Sequence, residues 1–212
     1  MIASVDEFIL YDDMQFTRRD WRNRNQIKTP NGARWLTVPV KVKGRFHQTI
    51  RETELSGTEW AVKHWQTISH SYIRAAHFPD IAVILEPLYL HRKYRQLSCL
   101  NLDFMKAVCA YLGITTKISD SSDYDLIDGK SARLADLCKQ AKGTEYLSGP
   151  AAKDYLEERY FSEQNIKLCW MDYNGYPEYP QLWGDFTHQV SIIDLLFNCG
   201  KNAPKYMKYV RL

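Results

Sequence analysis

Residues 145–171 have the sequence EYLSGPAAKDYLEERYFSEQNIKLCWM. The apolar runs at its two ends, 145–147 and 166–171, have the length and composition of short strands. Between them, the Ser-Gly-Pro turn at 148–150 leads into a predicted helix over residues 151–160. This order predicts a parallel βαβ unit. We therefore predict an α/β fold, with helices packed on a mixed sheet and parallel βαβ pairing in the second half of the chain.

The rest of the chain has the same mixed character. Apolar patterning predicts further strands at 5–11, 34–40, 49–55 and 115–118. The strands at 34–40 and 49–55 are predicted to form a hairpin, and residues 16–28 are predicted to be irregular. Helices are predicted at 58–74, 79–90, 94–112, 131–141 and 191–198. In the first of these helices one face carries residues four apart, namely Trp60, His64, Ile68 and Tyr72.

Composition is typical of a globular protein, with 212 residues, 45% hydrophobic and 25% charged. We predict one domain over residues 1–212, with a small helical subdomain around 58–112 as an option. The net charge of +3 is too small to indicate nucleic-acid binding. No stretch approaches the ~20 apolar residues that span a bilayer, and the N-terminus does not resemble a signal peptide. Five scattered cysteines favour a reducing compartment, so we expect a cytoplasmic protein without membrane insertion.

Two carboxylates, Asp12 and Asp13, directly follow the first predicted strand. Ligands in open α/β sheets collect at the carboxyl ends of strands. Carboxylate oxygens are ligands that Mg²⁺ prefers, so Asp12 and Asp13 are candidate metal ligands or general bases. The alternative is that one or both only cap a loop. The sequence names no cofactor, and Mg²⁺ is the one cation that this pattern suggests.

The segment that follows is basic and contains an aromatic ring. Arg22, Arg24 and Lys28 are candidates for phosphate binding, because a guanidinium offers a planar donor fork. Trp21 suits stacking on a sugar or base, and asparagines at 23 and 25 supply amide groups. The alternative is a solvated basic loop.

Each of three further features has two possible interpretations, one functional and one structural. The turn at Ser148-Gly149 precedes a helix N-terminus, which suits anion binding or a simple cap. His64 is a candidate for substrate orientation or catalysis, although a histidine on an apolar helix face is more often a core residue. Asp194 lies in the apolar run 192–197, and we expect it to be buried and hydrogen-bonded, for example to an amide or basic side chain of residues 21–28.

Several of these stretches together resemble one bacterial family. They are VDEFILYDDMQF (5–16), WRNRNQIK (21–28), WLTVPV (35–40), YLSG (146–149) with YL (155–156), and SIIDLLFNCG (191–200). In this order they resemble the WbqC-like family, over nearly the whole chain. The resemblance implies a place in gene clusters for O-antigen and other surface polysaccharides, while leaving the reaction open. It also implies an upstream segment of about twenty residues, with a strand and a His-Gln-Pro or Met-Gln-Pro motif, that we expect this chain to lack.

The leading hypothesis is an enzyme that acts on an activated sugar, or that transfers an amino or acyl group to one. Its small-molecule partner would be a nucleotide or sugar phosphate, and no nucleic acid is expected. The alternatives are a non-catalytic partner of the polysaccharide assembly machinery and an ATP-using enzyme resembling nucleotidyltransferases or ligases. The candidate catalytic residues are Asp12, Asp13 and His64. The candidate substrate-binding residues are Gln15, Trp21, Arg22, Asn23, Arg24, Asn25, Lys28, Ser148 and Gly149.

Overall fold

The computed structural model describes residues 1–210, which divide into two compact units. The first unit comprises Met1–Asp13, Thr115–Tyr176 and residues 209–210. The second comprises Met14–Ile114 and Pro177–Lys208. Within the described part of the chain, no helix has both the length and the apolar character needed to cross a membrane.

Helices and strands together form the mixed α/β fold expected from the sequence. The strands of residues 1–210 are β1 (Glu7–Leu10), β2 (Arg24–Thr29), β3 (Gly32–Thr37), β4 (Lys117–Asp120), β5 (Glu145–Ser148) and β6 (Lys167–Trp170). The α-helices are α1 (Glu59–Tyr72), α2 (Phe78–Leu90), α3 (Leu97–Leu112), α4 (Ser131–Gln140), α5 (Arg159–Ser162) and α6 (Ile192–Cys199). Short 3-10 segments lie at Ile2–Ser4, Ser121–Asp123, Pro150–Asp154 and Gly200–Tyr206.

The first unit contains the parallel strands. β1 pairs with β4 and β5 pairs with β6, so the predicted βαβ pairing of the second half is confirmed. The prediction of one continuous helix over residues 151–160 is wrong, because the chain forms the 3-10 segment Pro150–Asp154 and then the short helix α5. Glu157 lies between these two segments, and its backbone amide donates a 3.0 Å hydrogen bond to the Ser131 hydroxyl. This tertiary contact replaces a bond within a continuous helix.

The second unit has a hairpin whose pairing differs from the predicted one. β2 and β3 pair antiparallel across a turn at Pro30 and Asn31, with Thr29 opposite Gly32. The segment 24–28, predicted to be irregular, is therefore a strand. The predicted partners 34–40 and 49–55 meet only at an isolated bridge between Val40 and Leu55. Segments joined by a two-residue turn pair with a small loss of chain entropy. Pairing 34–40 with 49–55 closes a longer loop and so loses more chain entropy.

The core of the second unit is helical. The predicted face of α1 is buried at all four positions, Trp60, His64, Ile68 and Tyr72. Tyr72 stacks on Phe197 of α6 with ring centroids 4.7 Å apart. Ile81 and Leu85 of α2 complete this core. Because apolar residues four apart on α1 meet the apolar face of α6, these two helices hold each other in place against β2.

Candidate functional site

A cavity of about 200 Å³ lies in the second unit. Its polar lining comes from residues 21–25, which lead into and begin β2, with Asn101 of α3 and Ser191 before α6. The remaining lining is aromatic or aliphatic and consists of Ile27, Leu36, Val38, Trp60, His64, Tyr89, Leu100, Phe104 and Ile193. The cavity therefore combines amide and guanidinium groups with an apolar, ring-rich wall, which is the usual character of small-molecule sites.

Asn23 is the most buried polar side chain of the 21–25 segment, with 8% of its surface exposed. Its backbone oxygen accepts from the Val38 amide at 2.8 Å, and its side-chain Nδ2 donates to the Val38 oxygen at 2.9 Å. The side-chain Oδ1 is buried and has no hydrogen-bond partner among residues 1–210. A buried amide oxygen without a partner is rare in folded proteins and calls for an explanation.

Arg24 has a second buried polar atom without a partner. Its guanidinium carbon lies 4.1 Å from the centre of the Trp35 ring, a cation–π arrangement. Trp35 in turn contacts Trp21, with ring centroids 5.1 Å apart. The Nε of Arg24 is buried, and no acceptor within the described chain reaches it. Arg24 thus has its charge placed over a ring while one of its donors remains unused.

The outer part of the cavity is formed by Trp21 and Arg22. Trp21 is 63% exposed, although it is one of the largest apolar side chains. The Arg22 guanidinium forms a salt bridge with the Asp20 carboxylate. The backbone oxygen of Arg22 accepts a 3.0 Å hydrogen bond from Asn101 Nδ2. Asn101 therefore ties the 21–25 segment to α3. This wall has a cation and an aromatic face at the solvent side.

The inner wall contains His64 among aromatic rings. The Trp60 ring lies 5.2 Å from the imidazole and the Tyr89 ring 6.3 Å, both at steep angles. Burial lowers the pKa of His64 below its usual value, although a hydrogen bond with the Thr37 backbone opposes this. The imidazole is therefore neutral at pH 7, with one ring nitrogen able to accept a proton.

Comparison with known proteins agrees with the residues quoted above. The family model of the WbqC-like protein family matches residues 1–206. The chain belongs to this family. It is also 57% identical over 211 residues to a protein of Mycobacterium tuberculosis named "Uncharacterized protein Rv1507c", covering 100% of this chain and 91% of that protein. No solved structure matches the chain significantly.

In this WbqC-like chain Lys28 lies apart from the cavity. The contiguity of the first strand end and the basic segment predicts that Asp12 or Asp13, Asn23, Asn25 and Lys28 line one pocket. The cavity lining contains Asn23 and Asn25 and does not contain Lys28. Neighbouring residues of a strand point to opposite faces, and Ile27 occupies the cavity side. The Lys28 amine is buried and donates to Gln181 Oε1 at 2.7 Å and to the Asp185 backbone oxygen. Its phosphate-binding role stays a prediction.

Asp194 is fully buried and hydrogen-bonded, as predicted for this WbqC-like sequence. Its Oδ2 accepts from the Tyr72 hydroxyl at 2.6 Å, and its Oδ1 accepts from Tyr179 and Gln181 at 2.8 Å each. Asn198 Nδ2 donates to the same oxygen at 3.3 Å. The partners are thus tyrosines and amides, while the residues 21–28 that we proposed contribute only through Lys28, whose backbone amide donates to Tyr72 at 3.0 Å.

The other predicted site residues lie outside the cavity lining. Asp12 and Asp13 follow β1 in the first unit, where the Ser121 hydroxyl donates to the Asp13 carboxylate. Ser148, also in the first unit, is the last residue of β5, and Gly149 follows it before the 3-10 segment at Pro150–Asp154. Gln15, in the second unit, donates from Nε2 to the Phe46 oxygen at 2.8 Å. Their roles stay predictions.

No group of three or more His, Cys, Asp or Glu side chains within residues 1–210 is placed to hold a metal ion. Asp12 and Asp13 alone would have to take further ligands from backbone or solvent oxygen, so the Mg²⁺ site remains a prediction.

Sequence reasoning missed Asn101, Tyr89 and Phe104. Asn101 had a usable signal, because it lies four residues after Leu97 and three before Phe104 on a helix, and so on the same face. A polar residue on an apolar helix face indicates either a buried hydrogen bond or a site. Tyr89 had no such signal, since aromatic residues on apolar helices usually belong to a core.

Proposed function

We propose that the cavity of the second unit binds an anionic activated sugar, either a sugar phosphate or a nucleotide sugar. The observation that carries this proposal is the cavity lining, in which Arg22 and Arg24 lie beside the ring of Trp21. An anionic ligand would meet these cations, whereas an apolar ligand would make no use of them.

The charge of the ligand is inferred from Arg22 and Arg24. A guanidinium presents a planar set of donors that matches phosphate oxygens. Trp21, which lines the cavity, adds an aromatic face of the kind that stacks on sugar rings and bases. The cavity has a volume of about 200 Å³. That volume suits one ring-sized group with the rest of the ligand at the mouth.

The chemical role that fits the site best is proton transfer by His64. Its imidazole lines the cavity and is neutral, because burial lowers its pKa. A neutral imidazole within reach of a bound hydroxyl or amine can act as a general base during transfer to that group. We therefore include in the proposal a transferase that acts on an activated sugar.

The biological setting is part of the same proposal. The resemblance to WbqC-like proteins supports a role in making bacterial surface polysaccharides, including O-antigen. All five cysteines, which lie within residues 1–210, are free thiols, which supports a reducing and therefore cytoplasmic location.

The proposal is tested by calorimetric titration with UDP-glucose, GDP-mannose, dTDP-glucose, glucose 1-phosphate and ATP. At least one sugar ligand is expected to bind, and Arg24→Gln is expected to weaken it about tenfold or more, as loss of a charged hydrogen bond does. Arg34→Gln is the matched control, because Arg34 is on the same hairpin and does not line the cavity. Binding of ATP alone would favour the ligase-like alternative, and binding of none would favour a non-catalytic partner.

A further inference from the structure

We propose that residues 41–47 (KVKGRFH), called here the Phe46 loop, dock this protein reversibly on an anionic membrane surface. The Phe46 ring would enter the headgroup layer while basic side chains meet the lipid phosphates. The loop belongs to the second unit and does not line the cavity, so this proposal is separate from the proposed function. It concerns a surface contact that needs no segment crossing the bilayer.

The exposed ring of Phe46 is the first observation. Phe46 is 77% exposed, although its ring is apolar. The loop around it is nevertheless tied down, because Gln15 Nε2 donates to the Phe46 backbone oxygen at 2.8 Å. At the other end of the loop, Gln48 Nε2 donates to the Lys41 backbone oxygen at 2.8 Å. The ring is therefore held towards solvent by a hydrogen-bonded backbone.

The turn inside the loop is also fixed. Val42 is partly buried and packs against the buried cluster that contains Trp60. The Arg45 amide donates to the Val42 backbone oxygen at 3.2 Å. Gly44, between them, has φ 73° and open space around its Cα, which lets the chain reverse there. Since the projection is already formed, docking through it requires little further ordering of the chain.

The charges of the loop are of one sign. Its cations are Lys41, Lys43 and Arg45, and it contains no acidic residue. Glu54, from the segment that follows, accepts from the Lys41 amine at 2.8 Å and lies 3.8 Å from the Arg45 guanidinium. The Arg95 guanidinium is 3.2 Å from the same carboxylate. Three cations are thus gathered around one anion beside the Phe46 ring.

These charges are arranged in depth. The Glu54 side chain is 19% exposed, whereas those of Lys41, Arg45 and Arg95 are 51%, 43% and 83% exposed. The carboxylate therefore lies beneath the cations and neutralises one of the three. Lys43 adds a further exposed cation that forms no ion pair with any residue of 1–210. Each such cation near an anionic bilayer strengthens binding about fivefold.

An anionic bilayer suits this combination better than a nucleic acid does. The net charge of the chain is only +3, which is small for a nucleic-acid-binding protein. A bilayer requires only a local cluster of cations with an apolar or aromatic side chain at the interface. Because one such signal alone gives only marginal binding, the ring and the cations are both needed.

The test is sedimentation of the full chain with vesicles of phosphatidylcholine containing about 30% phosphatidylglycerol, at low salt. The parent is expected to bind these vesicles about tenfold or more strongly than pure phosphatidylcholine, and high salt should remove the difference. Phe46→Ala is expected to weaken binding about tenfold, because the apolar ring is lost. Lys43→Gln should weaken it about fivefold.

Two variants elsewhere in the second unit are matched controls. Val83 on α2 is 76% exposed, and Lys106 is exposed on α3, so Val83→Ala and Lys106→Gln remove a comparable apolar group and charge outside the loop. Each should change vesicle binding by less than about twofold. Phe46→Trp gives a second measurement. Lipids with brominated chains should quench its fluorescence beyond that of the parent, whereas Val83→Trp should show no added quenching.

Absence of binding to anionic vesicles, or equal binding by the parent and Phe46→Ala, would overturn the docking surface. Binding of a single-stranded oligonucleotide that Phe46→Ala abolishes, without vesicle binding by the parent, would overturn it in favour of a nucleic-acid contact. No nucleotide sugar is present in these measurements, so their failure leaves the proposed function standing.

Discussion

The Tyr72 hydroxyl donates a 2.6 Å hydrogen bond to Asp194 Oδ2 and so joins α1 to α6 inside the second unit. The same hydroxyl accepts from the Lys28 backbone amide at 3.0 Å, which adds β2 to the connection. These three elements each supply part of the cavity, through His64 on α1, Ile193 on α6 and Arg24 on β2. The buried carboxylate thus fixes the relative positions of the walls without contacting a ligand.

We predict that Asp194→Ala destabilises the protein by about 3–5 kcal/mol, because four donors lose their acceptor inside the core. Asp194→Asn keeps one acceptor oxygen and should cost about 1–2 kcal/mol. Urea denaturation measures both. Tyr72→Phe is the control that removes one donor and leaves the carboxylate with its other partners. Equal unfolding midpoints for Asp194→Ala and the parent would show that this network is not structural.

Gly200 is predicted to be intolerant of any side chain. It has φ 54° and ψ −132° at the end of α6, and an added Cβ would overlap the His77 ring. Gly200→Ala should therefore cost more than about 2 kcal/mol through strain and overlap together. Gly113 is the matched control, since it also has a positive φ, 70°, but open space around it. Gly113→Ala should cost about 1 kcal/mol, and equal losses at the two sites would refute the overlap.

The helices were the most predictable part of the fold. The spacing of Trp60, Ile68 and Tyr72 identified the buried face of α1, and Gly113 marked the end of α3, because both signals are local. The β2–β3 hairpin was missed because β2 has the sequence RNQIKT, whose single apolar residue gives no alternating pattern, so this segment was predicted to be irregular. Pairing partners of a strand depend on contacts that a single segment does not encode.

The candidate site was only partly predictable for a related reason. Asn23, Arg24 and Asn25 were found because they are consecutive polar residues in one basic segment. The partners of Asp194, Tyr179 and Gln181, lie in an irregular segment with no periodicity to indicate which way they face. Asn101 reaches the cavity from a helix far along the chain, and only folding brings it to Arg22.

Glu54 is predicted to contribute an acid-dependent part of the stability. Hydrogen bonds from Lys41 and then Arg95 lower the pKa of Glu54 from 4.5 to about 2. Its folded-state pKa lies below the unfolded value, so the contribution is complete above about pH 4.5 and is lost as the pH falls towards 2. Glu54→Gln should flatten the fall of the urea midpoint in this window. An unchanged slope would show that the Lys41 and Arg95 contacts do not persist in solution.

His64 is predicted to titrate below its usual pKa of 6.5, because burial disfavours the imidazolium. The unfolded chain then binds the proton more readily, so this contribution to stability is present above pH 6.5 and is lost as the pH falls below it. The NMR signal of the His64 ring measures the midpoint directly. A His64 midpoint at or above 6.5 would contradict the buried, neutral imidazole.

The most direct test of the binding account is the NMR signal of the Arg24 Nε–H during titration with the preferred nucleotide sugar. The signal is assigned by its loss in Arg24→Lys. The account predicts that it shifts in proportion to ligand bound, because Arg24 lines the cavity and its guanidinium is a candidate phosphate-binding group. The Arg34 Nε–H should stay unchanged. If saturating nucleotide sugar leaves the Arg24 signal where it was, the cavity is not where the sugar binds.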